Sequence, residues 1–305
     1  MTRTPEGRAG VTDVDLSGTT ALVTGSTSGI GRQAALSLGR LGADVFVHGR
    51  DAEAGRAVVD DLQSVGSDAQ FVRADFADVA AVEELAATVR DESDGLDVLV
   101  NNAGGLFRGG RLTDVGVEYT FQVNHLAPYL LTTELLDHVD EGGRIVTTSS
   151  VAHRGVRLDL DDVTSVENYA PFHAYQRSKL ANAQFALGLA RRLDAAGRDV
   201  TSNALHPGAI PGSEFSRFLP GPLSTGMGLL EKAPLVTSVE DGAAALVHLA
   251  ASERVAGVTG RYFSKQRQRK PAGHARNREE QDRLWERSAE LLGVAEPLSD
   301  AALAK

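Results

Sequence analysis

The chain has 305 residues, a formal charge of −10, 42% hydrophobic residues and no cysteine. Its length suits one α/β domain with terminal extensions, its acidic balance argues against general affinity for nucleic acid or anionic membrane, and the missing cysteine excludes disulfides, thiolate nucleophiles and Cys-ligated metal. No run reaches the ~18 apolar residues of a membrane span, and Asp13 and Asp15 stand where a signal peptide needs an apolar segment, so a cytoplasmic protein is expected.

Thr20-Ala21-Leu22-Val23 reads as a buried strand that leads into Thr24-Gly25-Ser26-Thr27-Ser28-Gly29-Ile30-Gly31 and a helical pattern through Leu41. Strand, glycine turn and helix is the order a pyrophosphate site requires. Glycines let the backbone approach phosphate oxygens, and the helix start offers free N–H groups and the positive end of its dipole. Gly25, Ser26, Ser28, Gly29, Ile30 and Gly31 are therefore candidates for cofactor binding. Many turns are glycine-rich, however, and this spacing differs from G-x-G-x-x-G, so the turn alone decides nothing.

A second strand, Asp44 to His48, ends in Gly49-Arg50, where the adenine ribose of a dinucleotide is expected. An acidic residue there accepts hydrogen bonds from the ribose of NAD. Gly49 offers none and Arg50 can pair with a 2′-phosphate, which favours NADP(H) over NAD(H). The competing reading makes Arg50 a solvated residue at the start of the next helix, with Asp51 as its cap. Gln70 to Arg73 is a third strand, ending at Ala74-Asp75-Phe76. Leu96 to Val100 is a fourth, ending at Asn101-Asn102-Ala103-Gly104. Helical runs lie between them, and strict alternation predicts an α/β fold with a doubly wound parallel sheet that binds its ligand at the carboxyl ends of the strands.

An amphipathic segment from Val117 to Leu136 carries Asn124, a residue type often satisfied at a helix kink. Arg144 to Thr148 is a fifth strand, ending at Ser149-Ser150, and a hydroxyl at that end can hydrogen-bond a substrate carbonyl. The competing serine nucleophile lacks both a triad and the elbow G-x-S-x-G. A helix-like run from Ala170 to Leu193 holds Tyr175 and Lys179, four apart and so on one face. A phenol with a pKa of about 10 beside a cation that favours its ionised form is a candidate proton donor and acceptor; taken alone, such a pair is an ordinary surface one.

Thr24-Gly25-(x)3-Gly29-Ile30-Gly31, Asn101-Asn102-Ala103-Gly104 and Tyr175-(x)3-Lys179, in this order and spacing, resemble the short-chain dehydrogenase/reductase family over about Leu16 to Phe263. The resemblance implies a Rossmann-type sheet of seven strands, with Asp75 and Phe76 beside the adenine and Asn102, Ala103 and Gly104 lining the cofactor groove. It also implies that Asn124 holds a water in a proton relay, that Ser150 positions the substrate oxygen, with Ser149 the residue most easily confused with it, and that Lys179 binds the nicotinamide ribose. Nicotinamide then supplies the hydride while Tyr175 protonates the developing alkoxide; with an alcohol every transfer reverses.

A sixth strand, Val200 to Leu205, precedes His206-Pro207-Gly208-Ala209-Ile210, where the family sets Pro207, Gly208 and Ile210 against the nicotinamide. The family then has Thr or Ser reaching the carboxamide, whereas this chain has Gly212 there and Ser213 one later. Residues 211–237, rich in Gly, Pro, Leu and Phe, suggest a lid over a lipophilic pocket, with Phe215, Phe218 and Met227 among its lining. The run Asn168 to Asn182, the Gly260-Arg261-Tyr262-Phe263 strand and Arg283-Leu284-Trp285-Glu286 resemble the retinol dehydrogenase-like branch, which implies a small lipophilic carbonyl or alcohol as substrate.

Eight histidines lack metal-binding spacing, so no metal is expected. His153 and His173 flank the catalytic segments as rim residues or substrate contacts. The basic run from Arg261 to Arg278 reads as solvated, with contact to an anionic substrate or carrier protein as the alternative and nucleic acid less favoured. Small residues at Ala181, Ala183, Ala186, Gly188 and Ala190 permit close helix approach. In the family this helix often lies in a dimer interface, so a homo-oligomer, dimer or tetramer, is expected. The organisation expected is a mobile extension over 1–15, a catalytic domain over 16–264 and a C-terminal extension with one helix over 265–305. Two other functions fit the same platform. Reduction of a conjugated C=C bond is disfavoured by Ser150, and a non-catalytic dinucleotide sensor by the presence of Tyr175 and Lys179.

Overall fold

A sheet covered on both sides needs apolar residues on both faces of its strands. In β1 (Thr20–Val23) Ala21 and Val23 face one layer and Leu22 the other, all fully buried. The same alternation runs through β2 (Asp44–Gly49), β4 (Leu96–Asn101) and β5 (Val139–Thr148), with β3 (Ala69–Arg73), β6 (Thr201–His206), β7 (Tyr262–Ser264) and β8 (Arg267–Arg269) completing the sheet. The computed structural model describes residues 4–209 and 237–298, and among these the strand order is β3-β2-β1-β4-β5-β6-β7-β8. The first seven strands pair in parallel.

Helices α2 (Gly29–Arg40), α3 (Ala52–Gln63) and α8 (Val239–Ala251) cover one face. Helices α4 (Val79–Asp91), α6 (Ala127–Leu135) and α7 (Pro171–Ala195) cover the other. Their starts are fixed locally, since Asp51, Asp78 and Ser238 each cap a helix by accepting from backbone N–H groups of its first turn.

Four expectations change. The sheet has eight strands rather than seven, because Lys265, at φ +55°, turns the chain back and β8 pairs antiparallel with β7. All three β8 residues are exposed, which hides the strand within a basic run, and charge suits an edge strand. The boundary expected at residue 264 therefore falls inside a hairpin. Residues 4–15, expected to be mobile, dock on the domain through α1 (Pro5–Ala9). The Glu6 carboxylate accepts from Ser37 Oγ at 2.7 Å and Arg40 Nε at 2.9 Å, while Ala9 and Val11 enter the core.

The helix expected over Val117 to Leu136 is broken into α5 (Tyr119–Phe121), a π-helical turn over Gln122–Leu126 and α6. Pro128 has no N–H to give to the Asn124 carbonyl, so the α-helical ladder fails there and Ala127 N–H bonds Gln122 C=O five residues back. The small residues of α7 are buried within the chain itself. Helix α9 (Arg278–Leu292) packs on α7, with Gly188 facing Gln281 and Ala181 clustered with Leu284. Ala183 meets Ala275, and Ala186 meets Ala204 and Tyr262. Trp285 stacks on Phe185 at 5.8 Å, and Asp282 pairs with Arg191 and Arg192.

Among the described residues no helix is long and apolar enough to cross a membrane, and no His, Asp or Glu group could hold a metal ion. Ile210, Gly212, Ser213 and the expected lid up to residue 236 lie outside the described residues.

Candidate active site

A cleft of about 1130 Å³ opens along the carboxyl ends of β1 to β6. Gly25, Ser28, Gly29, Ile30, Gly31, Arg50, Asp75, Phe76, Asn102, Ala103 and Gly104 line it from one end, and Ser150, Tyr175, Lys179, Pro207 and Gly208 from the other.

At the first end the glycine turn is locked to its neighbours. Thr24 Oγ1 accepts from the backbone N–H of Asn102 at 2.9 Å and of Ala103 at 3.0 Å, and Asn102 Nδ2 donates to Thr24 C=O at 2.9 Å. Gly25 has φ +64°, and a Cβ there would stand 2.9 Å from Ala103 Cα, so only glycine fits between the two loops. His48 closes the same corner. Its Nδ1 accepts from Gly25 N–H at 3.2 Å, its Nε2 donates to Ala74 C=O at 3.2 Å, and its ring stacks on Phe76 at 4.5 Å. Burial pushes its pKa down to about 4, against the Ala74 bond and the charge of Asp75.

Arg50 follows β2 and precedes the helix that Asp51 caps, so of the competing reading the Asp51 cap holds while Arg50 stands before the helix rather than at its start. Its guanidinium lies 3.4 Å from Tyr119 Oη and 3.7 Å from Asp75 Oδ2, with the side chain 62% exposed at the cleft rim. Arg111 stacks on the other part of this cluster, 3.8 Å over the Tyr119 ring.

At the second end Tyr175 hydrogen-bonds Ser150. Ser149 is turned away and donates to Lys179 C=O at 2.7 Å, which separates the two serines. Lys179 Nζ donates to Thr148 C=O at 3.1 Å and lies 5.7 Å from the Tyr175 ring centre. The expected lowering of the phenol pKa by Lys179 is not what dominates here: burial raises Tyr175, with the Ser150 bond opposing, and burial pushes Lys179 down to about 8. Beneath them, Asn124 Oδ1 accepts from Gly105 N–H at 2.9 Å, and its Nδ2 donates to Gly105 C=O at 2.8 Å and to Ser178 Oγ at 2.9 Å. The Asn124 side chain thus clamps the loop after β4 to the catalytic helix, while Gly104, at φ +147°, leaves room for it.

Of the residues read from sequence, Ser26 departs from its expected role. It does not line the cleft, and its buried hydroxyl donates to Val23 C=O at 2.7 Å and accepts from His48 N–H at 3.0 Å. Of the two histidines taken for rim residues, His153 is fully buried and His173 is exposed. Sequence reasoning missed Thr24, His48, Ser178 and Pro128. A polar residue ending an apolar strand, as His48 does after Val45-Phe46-Val47, is the signal that could have found it. For Pro128 it is the four-residue spacing from Asn124.

Residues 19–219 match the family described as short chain dehydrogenase. Retinol dehydrogenase 13 of Homo sapiens is 37% identical over 92% of this chain and 86% of its own length. Polyprenol dehydrogenase of Mus musculus is 39% identical over 93% of this chain and 86% of its own. A short chain dehydrogenase from Burkholderia cenocepacia J2315, solved in complex with NADP, superposes with a TM-score of 0.67 at 31% identity, covering 82% of this chain and 96% of that one.

Proposed function

The chain belongs to the short-chain dehydrogenase/reductase family, in its retinol dehydrogenase-like branch, and is an oxidoreductase acting on CH–OH and C=O groups. From that premise we propose that it reduces lipophilic carbonyls with NADPH, or oxidises the corresponding alcohols, through Ser150, Tyr175, Lys179 and Asn124. The observation that carries this reading is the Tyr175 phenol, hydrogen-bonded to Ser150 in the cleft, one helical turn from Lys179.

The residues present fit a nicotinamide dinucleotide. The glycine turn leads into the start of α2, where Ser28 makes no side-chain cap and the first N–H groups are left for an anion. Asp75 and Phe76 would flank the adenine, Arg50 would meet a 2′-phosphate, Asn102, Ala103 and Gly104 would line the middle, and Lys179, Pro207 and Gly208 would hold the nicotinamide end. Ile210 belongs to that set by family position. When bound, the nicotinamide supplies or accepts the hydride. Tyr175 gives its proton to the substrate oxygen in reduction and takes it back in oxidation, and Ser150 Oγ holds that oxygen beside the phenol. Lys179 would hold the ribose and keep a cation near the phenol, and Asn124, fixed between Gly105 and Ser178, would hold a relay water.

Lipophilic substrates are supported by the apolar rim. Val151 and Phe172 are about half exposed and line the cleft with Leu106, Phe107 and Ala152. The names of the two relatives, a retinol and a polyprenol dehydrogenase, point to isoprenoid alcohols and aldehydes. The cysteine-free composition supports a reducing compartment such as the cytoplasm.

The test is fluorescence titration with NADPH and NADH, followed by NADPH oxidation against all-trans-retinal, citral, decanal, simple ketones and enones. Tyr175→Phe is expected to keep NADPH affinity and to lose turnover by roughly 10²- to 10⁴-fold. A mutant that keeps its turnover overturns the proposed role of Tyr175, and response confined to the C=C bond of enones overturns the carbonyl reading.

A further inference from the structure

His153 lies three residues after Ser150 and is fully buried. Its Nδ1 stands 2.5 Å from the Ser150 carbonyl oxygen and its Nε2 accepts from the Ala272 backbone N–H at 3.0 Å. These two partners leave no freedom. A carbonyl cannot donate, so Nδ1 carries the proton; an amide N–H cannot accept, so Nε2 carries none. Both partners are backbone groups, one on the catalytic loop and one on the segment that follows β8.

The far end of this link is well anchored. Gln184 Nε2 on the catalytic helix donates to His274 C=O at 3.1 Å, and Gln281 Nε2 donates to Ala275 C=O at 2.8 Å. Arg154 Nη2 adds a bond to Lys270 C=O at 2.6 Å, and the His153 ring tilts against Tyr262 at 4.9 Å. Burial favours the neutral ring, opposed by the Ser150 bond and assisted by the charge of Arg154.

We propose that His153 is the positioning residue for Ser150: a neutral imidazole that ties the serine's carbonyl to residues 271–276 and so fixes where the Ser150 hydroxyl stands relative to Tyr175. The chain beyond the seventh strand then forms part of the catalytic apparatus without touching substrate. This rests on the carbonyl-reductase reading for its kinetic consequence, though not for its geometry.

Three measurements test it. In the ¹⁵N-histidine spectrum of the wild-type protein, the resonance lost in His153→Asn is expected to report protonated Nδ1 and bare Nε2; the opposite tautomer overturns the proposal. The His153 backbone N–H donates to the Ser150 carbonyl at 3.1 Å and does so in either variant; of the side-chain bonds, His153→Asn keeps the one to Ser150, its amide nitrogen taking the place of Nδ1, and His153→Gln keeps the one to Ala272, its amide oxygen taking the place of Nε2. With all-trans-retinal and decanal, kcat is expected to fall about tenfold or more in His153→Gln and within about threefold in His153→Asn, the NADPH Kd staying unchanged in both. Equal losses in the two variants, or a Kd that weakens in step with kcat, would mean a structural residue only. Exchange of the Ala272 amide with deuterium should stay slow in His153→Gln and quicken in His153→Asn. If the wild-type protein reduces no carbonyl, the proposed function fails, and tautomer and exchange still decide the strut on their own.

Discussion

Arg50 stands at the carboxyl end of β2 with its guanidinium near Tyr119 Oη and, at 3.7 Å, Asp75. A 2′-phosphate would offer it a charge-assisted partner that NADH lacks. Arg50→Ala is therefore expected to weaken NADPH about tenfold and NADH by less than about threefold, read by fluorescence titration. Lys179 carries a different consequence. Burial has pushed its pKa down to about 8, so it is a cation below that pH and neutral above it. Cofactor affinity that depends on this charge should decline as pH rises through about 8, and Lys179→Met should bind more weakly and without that decline. At this scale the sequence carried identity and order: the Tyr175-Lys179 spacing and the Ser149-Ser150 pair were legible. Ser150 rather than Ser149 came only from the family resemblance, because the residues alone do not show Ser149 donating to a carbonyl on α7, and the upward shift of Tyr175 was not legible, because it depends on burial.

The π-helical turn is where an element and the site meet. Asn124 satisfies Gly105 twice and Ser178 once, all buried, so Asn124→Ala strands an N–H, a carbonyl and a hydroxyl. The expected loss is roughly 2–4 kcal/mol in urea unfolding, with turnover falling alongside. Trp285 plays the equivalent part for α9. It is almost fully buried against Phe185 and Tyr129, its Nε1 donates to Pro297 C=O at 3.0 Å, and Arg192 covers its face at 4.5 Å. Trp285→Ala should cost about 3–5 kcal/mol. The amphipathic pattern of 117–136 announced a helix, but the break that Pro128 imposes on its ladder was not read from it. The docking of α9 on α7 was not legible, since small residues on a helix fit a partner from the same chain as well as one from another copy.

Taken as a whole molecule, the domain buries several histidines as neutral rings. Desolvation lowers His48 to about 4, His125 to about 3 and His206 to about 4, the last helped by His153 and Lys265. Between these values and the ordinary 6.5 the unfolded chain binds more protons than the folded one, so stability rises with pH across that window and is lost as pH falls through it. Over its full window His48 accounts for roughly 3 kcal/mol and His125 for roughly 5 kcal/mol. Urea midpoints measured from pH 7 to pH 4.5 should fall steeply, and His125→Phe should flatten the fall. The order of the parallel strands was readable, because most of them carry apolar residues between turn residues, whereas α1 and α8 were not read from the sequence. The eighth strand was not, since a three-residue edge of Arg, Gln and Arg has neither alternation nor apolar content.

The seating of α9 along the catalytic helix has a consequence for how the protein behaves in dilute solution. The face of α7 that a second subunit could have braced is braced by the chain's own C-terminal segment, through Gly188 against Gln281, the Trp285 stack and the Asp282 pairs. Such a brace is unimolecular and does not come off when protein is scarce. Specific activity should therefore hold constant from micromolar to nanomolar enzyme.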